Sequence, residues 1–170
     1  TETVDMFAAL KDTPQAVILG APGSGKSTLA RYLAYAFALG RGQEITGMAG
    51  DMLPIIVPLG RFAADRKNKG AAYCFTDYLQ DSFRGPGRDA PASFFDHYLD
   101  RGDCLVCFDG LDEVSELGQR ADVAGIVQTF VHDHPRNRYL VTSRLAGYQG
   151  FTLEEQEFPH LTLCDYDDEQ

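Results

Sequence analysis

The chain has 170 residues, of which 25 are acidic and 15 are basic, and its formal net charge is −10. This length fits one domain, and 44% apolar residues with 11% aromatics supply enough material for a packed core. The composition therefore excludes a disordered chain, and the acidic balance argues against a nucleic-acid partner or an anionic membrane partner. No run of 18 apolar residues and no signal-peptide pattern occurs, so we expect a cytoplasmic protein.

Apolar segments of strand length alternate with helical patterns, which is typical of a parallel α/β sheet. Five segments are predicted as strands: residues 15–20, 53–59, 104–109, 139–142 and 158–163. Four segments are predicted as helices: residues 26–39, 75–83, 91–99 and 119–131. The first helix is apolar on almost every side, which predicts that it is buried under the sheet. Residues 66–70 are predicted as a solvated loop, because they are mostly basic and polar.

Two of the four cysteines, Cys104 and Cys107, have the spacing of a metal or redox pair. They lie in a continuous apolar segment that predicts a buried strand. Residues three apart on a strand point to opposite faces, so the two thiols cannot share a ligand. The spacing therefore predicts two separate structural cysteines.

A glycine-rich segment joins the first predicted strand to the first predicted helix and fits the pattern G-x-x-x-x-G-K-[ST]. It consists of Gly20, Ala21, Pro22, Gly23, Ser24, Gly25, Lys26 and Ser27. Its glycines let successive N–H groups face a phosphate, and the helix N-terminus adds positive potential. We expect Lys26 to reach the β- and γ-phosphates and Ser27 to bind Mg²⁺. Thr28 either caps the helix or touches an α-phosphate.

Acidic residues follow the third predicted strand, at the edge where open α/β sheets bind ligands. Asp109 ends this strand and suits Mg²⁺, bound through a water. Asp112 and Glu113 follow, and either can orient an attacking water. The fourth predicted strand leads to Arg144, whose guanidinium can sense a γ-phosphate and stabilise its developing charge. For Asp112, Glu113 and Arg144, the alternative is a structural ion pair.

The chain resembles a NACHT domain in four ordered segments: ILGAPGSGKSTLARYLA, LPIIVPLGRF, CLVCFDGLDEV and YLVTSRLAGY. NACHT domains are a branch of the STAND class of P-loop NTPases, which includes innate-immune receptors and bacterial defence proteins. The third segment is the specific one, because the family has a small residue after the metal-binding Asp and an acid two positions later. Gly110 and Asp112 match that pattern. The resemblance thus favours Asp112, with Glu113 beside it, for water activation, and it supports Arg144 as a sensor.

This resemblance implies a three-layer P-loop NTPase sandwich with five parallel strands in the order 5-1-4-3-2. It also implies binding of ATP or ADP with Mg²⁺, although the residues themselves do not separate adenine from guanine. The implied function is a switch module with slow ATP hydrolysis, driving oligomerisation of a larger signalling or defence protein. Residues 1–170 would then be one domain of a longer chain, followed by helical and winged-helix domains.

Two other functions fit the same phosphate loop. One is a stand-alone P-loop ATPase or small-molecule kinase. The scattered arginines disfavour a kinase, since kinases of this size usually carry an arginine-rich lid. The other is a folded but inert scaffold, in which a neighbouring domain or protomer would complete the adenine pocket.

Overall fold

The strands form a single parallel sheet in the computed structural model, which describes residues 5–48, 50–85, 90–148, 153 and 157–163. The strands are β1 Gln15–Gly20, β2 Leu53–Pro58, β3 Cys104–Asp109, β4 Arg138–Arg144 and β5 His160–Thr162. Their order across the sheet is β2-β3-β4-β1-β5, and every pairing is parallel. This is the predicted order 5-1-4-3-2 counted from the other edge, so the predicted fold class is confirmed.

The described residues also form eight α-helices and one turn of 3₁₀ helix. The α-helices are α1 Met6–Asp12, α2 Lys26–Ala38, α3 Gly42–Thr46, α4 Leu59–Lys69, α5 Phe75–Ser82, α6 Phe94–Arg101, α7 Leu117–Asp133 and α8 Leu145–Tyr148. The 3₁₀ turn, Leu111–Glu113, is called the acidic turn below. Among the described residues, no helix has the length and apolar character needed to cross a membrane.

Two hydrophobic cores lie on opposite faces of the sheet, because side chains alternate along each strand. Val17 and Leu19 of β1 belong to the core formed with α4, α5, α6 and α7. Ala16 and Ile18 belong to the core formed with α1 and α2. A sheet covered on both faces explains why its strands are continuous apolar runs in the sequence.

Cys104 and Cys107 confirm this alternation, because each is buried in a different core. Burial raises the pKa of both thiols to about 12. The prediction that the two residues do not form a common metal or redox site is therefore confirmed.

The prediction of a loop at residues 66–70 is wrong, since residues 66–69 form the last turn of α4 and Gly70 is its C-cap. Most of these residues are exposed, as a loop would be. The last turn contains Arg66, Lys67 and Lys69, and positive charge there interacts favourably with the helix dipole. The basic composition thus marks a helix end.

The helix predicted to be buried under the sheet, α2, does pack against the sheet, but only one of its faces is buried. Tyr32 and Tyr35 of α2 are 45% and 64% exposed, whereas Leu33 is buried against the sheet. The reason is that α2 lies in an outer layer, where only one face of the helix contacts the strands.

Several predicted boundaries differ from those of the structure by a few residues. Strand β2 ends at Pro58 because Leu59 already begins α4. Strand β4 is longer than predicted at both ends, and β5 is shorter at both ends. The four predicted helices are present, with ends shifted by at most three residues.

Candidate functional site

The glycine-rich segment forms the loop between β1 and α2, as its motif predicts. Gly23 and Gly25 have φ of 83° and 90°, in the left-handed region that other residues rarely adopt. Gly25 is the N-cap of α2, so the free N–H groups of the helix's first turn border the loop. The strand, loop and helix thus have the arrangement that gives this motif its anion-binding character.

The ammonium of Lys26 is turned back onto this loop. Its Nζ donates to the carbonyl oxygens of Gly20 and Ala21, at 2.9 and 2.7 Å, and to Ser24 Oγ at 3.1 Å. The loop's own oxygens therefore solvate the charge. A phosphate that enters the loop can replace these oxygens as the partner of Lys26.

The side chain of Asp109 joins the loop to the centre of the sheet. One oxygen, Oδ1, accepts a hydrogen bond from Ser27 Oγ at 2.9 Å and another from Thr142 Oγ1 at 2.6 Å. Thr142 Oγ1 in turn accepts the N–H of Gly110 at 2.8 Å. The structure thus brings together a hydroxyl and a carboxylate, the hard oxygen ligands that Mg²⁺ prefers, and the two residues fit that ion.

Asp112 and Arg144 form an ion pair beside these residues. The backbone N–H of Arg144 donates to Asp112 Oδ1 at 2.9 Å, and its Nε lies 3.0 Å from Oδ2. The carboxylate side chain is only 10% exposed, whereas that of Arg144 is 53% exposed. Glu113, the other candidate for water activation, is exposed. In this conformation Asp112 and Arg144 therefore have the structural pairing that was the alternative to their predicted roles.

A cavity of about 210 Å³ lies where these groups meet. It is lined by Pro22, Gly23, Gly25, Lys26, Ser27, Thr28, Gly110, Asp112, Glu113, Thr142 and Arg144. Four predicted site residues are not among the lining residues: Gly20, Ala21, Ser24 and Asp109. They nevertheless contact residues that are, because the first three belong to the loop and Asp109 accepts the hydrogen bond of Ser27.

The comparison with protein families agrees with this geometry. Residues 15–160 match the model of the NACHT domain, a span that runs from the start of β1 to the start of β5. The chain belongs to the NACHT family. NACHT domains are P-loop NTPases, and membership of this family implies nucleotide binding. No curated protein matches the chain significantly.

Two residues at this NACHT site were not predicted from the sequence. Thr142 bridges Asp109 and the N–H of Gly110. The sequence does contain a signal for Thr142. Neighbouring parallel strands end at the same edge of the sheet, so a residue near the end of β4 is expected close to Asp109 at the end of β3. Arg120 of α7 donates to the carbonyl oxygens of Asp112, Val114 and Gly147. No sequence motif identifies Arg120, because the carbonyl groups it contacts belong to the main chain and do not depend on residue type.

Proposed function

We propose that this NACHT domain is an ATP/ADP-binding switch module with slow Mg²⁺-dependent ATP hydrolysis. In a larger signalling or defence protein, its nucleotide state would control oligomerisation, together with helical and winged-helix domains that follow it. The observation that carries the proposal is the single cavity lined by Lys26, Ser27, Asp112 and Arg144. The proposed phosphate loop, one of the two proposed metal ligands and the proposed sensor arginine thus border the same space.

The phosphate loop supplies the binding energy in this proposal. Backbone N–H groups and Lys26 hold the β- and γ-phosphates, with the ammonium exchanging the carbonyls of Gly20 and Ala21 for phosphate oxygens. Ser27 and Asp109 hold Mg²⁺, which neutralises charge on the phosphate oxygens when it is bound.

The switch depends on whether the guanidinium of Arg144 contacts the carboxylate of Asp112 or the γ-phosphate. With a diphosphate, its guanidinium keeps Asp112 as partner, as in the present structure. With a triphosphate, the γ-phosphate competes for the guanidinium, because charged bidentate contacts to phosphate are strong. A ligand shifts a two-state protein only by its differential affinity for the two states. Contacts to the γ-phosphate are the ones that differ between ATP and ADP.

Water activation is assigned to Asp112, with Glu113 as the neighbouring candidate. Both oxygens of Asp112 are engaged by Arg144, so the acid becomes available to a water when the guanidinium moves to the phosphate. Glu113 is exposed and lines the same cavity. Single-turnover rates of Asp112→Asn and Glu113→Gln distinguish the two, since the variant that lacks the activating acid has the larger loss.

Thermal unfolding with Mg²⁺ and ADP, ATP or GTP tests the proposed nucleotide site. At about 100 times the dissociation constant, a ligand adds about 2.7 kcal/mol and raises Tm by about 5–10 °C. We expect this shift with adenine nucleotides in the parent and its loss in Lys26→Ala. Lys67→Ala is the matched control, because Lys67 pairs with Glu116 on the surface and does not line the cavity.

Absence of a shift with every nucleotide would contradict the proposal, and so would an unchanged shift in Lys26→Ala. Transfer of phosphate to a metabolite would favour a small-molecule kinase instead. The switch itself is tested by sedimentation with ATP and with ADP, in a chain extended through the proposed helical and winged-helix domains. Oligomers that form equally with both nucleotides would contradict a switch.

A further inference from the structure

Arg120 connects two segments that lie on either side of the ion pair. It belongs to the first turns of α7 and is half-buried. Its Nη2 donates to the carbonyl oxygens of Asp112 and Val114 at 3.0 and 2.9 Å, and its Nη1 donates to that of Gly147 at 3.1 Å. Asp112 and Val114 belong to the acidic turn and its C-cap, and Gly147 belongs to α8.

One of these segments contains Asp112, and the other directly follows Arg144 in the chain. The segments are also in close contact, since a Cβ added at Gly147 would lie 2.5 Å from Asp112 Cβ. The relative position of the acidic turn and α8 therefore affects how Asp112 meets Arg144, the last residue of β4.

The shape of the Arg120 side chain suits it to fix this position. A guanidinium is planar and its N–H groups have a fixed geometry, so three carbonyls bound to one guanidinium are held relative to one another. Hydrogen bonds from a charged donor are also stronger than those between neutral groups. Its Nε is buried without a hydrogen-bond partner among the described residues, which costs free energy. The three carbonyl bonds are the interactions that can offset this cost.

We propose that Arg120 is a positioning residue, which fastens the acidic turn to α8 and thereby sets the Asp112–Arg144 geometry from α7. The fastening itself is independent of any ligand. Its effect on catalysis rests on the proposed function, because it needs a nucleotide to be bound and hydrolysed. The two parts are therefore tested by different measurements.

Amide hydrogen exchange tests the fastening without nucleotide. In Arg120→Met, we expect at least tenfold faster exchange both in the acidic turn and in α8. The backbone N–H of Arg144, which donates to Asp112, should also exchange faster. Arg120→Lys keeps the charge but not the planar fork, and it should loosen the same two segments. It also covers the case in which Arg120→Met does not fold.

Arg138→Met is the matched control. Arg138 also donates to three main-chain carbonyls, those of Leu10, Lys11 and Thr13, but at the opposite end of β4. This variant should loosen α1 and leave the acidic turn unchanged. Faster exchange in only one of the two fastened segments, equal loosening by Arg138→Met, or parent-like exchange in Arg120→Lys would overturn the proposal.

Steady-state ATP hydrolysis tests the consequence for catalysis. Among the described residues, Arg120 donates to the acidic turn, its C-cap and α8 and makes no hydrogen bond to the phosphate loop. Arg120→Met should therefore lower kcat at least tenfold and change KM less than twofold. Equal losses in kcat and in nucleotide affinity would overturn positioning and indicate general destabilisation. If the parent binds no nucleotide, the proposed function fails, and hydrogen exchange still decides the fastening.

Discussion

Arg144 engages both carboxylate oxygens of Asp112, one through its backbone N–H and the other through its side chain. The backbone contact and the side-chain contact differ in how easily they can move. The N–H belongs to the end of β4 and stays in place, whereas the guanidinium is on a long side chain that is 53% exposed. The guanidinium can therefore leave Asp112 without depriving the carboxylate of its backbone partner.

The substitution Arg144→Ala separates these contacts, because it removes the guanidinium and keeps the N–H. We expect the affinity for Mg-ATP to fall about 10- to 100-fold, since a hydrogen bond to a charged group contributes about 1.5–3 kcal/mol. The affinity for Mg-ADP should change less than twofold. Isothermal titration calorimetry measures both. Arg84→Ala, which removes a surface partner of Asp81, is the control. Equal losses for ATP and ADP would contradict a sensor role.

Gly147 lies against Asp112, and the substitution Gly147→Ala tests that contact. The added Cβ would lie 2.5 Å from Asp112 Cβ, so we expect a loss of about 1–3 kcal/mol from overpacking. Gly125→Ala is the matched control, because Gly125 is an exposed position in α7 with no atom within 4 Å of an added Cβ. That variant should gain about 0.5–1 kcal/mol. Urea denaturation measures both, and equal stabilities would contradict the close contact.

The ion pair between Lys69 and Asp81 gives a pH dependence of stability. A hydrogen bond from Lys69 is the largest of the effects that lower the pKa of Asp81 from its usual 3.8. A lowered pKa stabilises the folded state above the unfolded value, and this contribution is lost as pH falls through the folded value. The parent should therefore be more stable than Asp81→Asn at pH 7. Urea denaturation should show this difference shrinking below pH 3.8, and a constant difference would contradict the pairing.

Cysteine labelling tests the burial of the two strand thiols. Cys74 is exposed, whereas Cys104 and Cys107 are buried and have pKa values of about 12. At pH 8 the native protein should react with iodoacetamide at Cys74 and not at Cys104 or Cys107, because the thiolate is the nucleophile. Peptide mass spectrometry locates the label, and labelling in urea is the control. Reaction of Cys104 at the rate of Cys74 would contradict its burial.

The sequence predicts best those parts of the fold that are buried on both faces. Strands β1 and β3 have the predicted bounds, because two covering layers make most of their positions apolar. Exposure on one side is harder to predict, as α2 shows, since Tyr32 and Tyr35 resemble core residues in composition. In α4, the apolar residues Leu59, Phe62 and Ala63 have helical spacing. The basic residues that follow them were predicted as a loop, although they form the end of the helix.

For the candidate site, the sequence predicts residues whose side chains belong to a motif. Lys26 and Ser27 are specified by the phosphate loop, and Asp109 by its place after a buried strand. The pairing of Asp112 with Arg144 could not be predicted from either segment alone. It depends on how the ends of β3 and β4 lie relative to each other in the fold. The contacts of Arg120 could not be predicted from the sequence at all, because its partners are main-chain carbonyl groups, which every residue has.

The place of β2 at one edge of the sheet has a consequence for how copies of this domain can associate. The N–H of Leu53 donates to Asp103, on the side of β3, so the N–H positions of residues 54, 56 and 58 face outward. Two of these positions are Pro54 and Pro58, which have no N–H. Only Ile56 lies between them as an outward donor. Strand addition is therefore disfavoured at this edge, and an assembly through this side of the domain would use helical surfaces and loops.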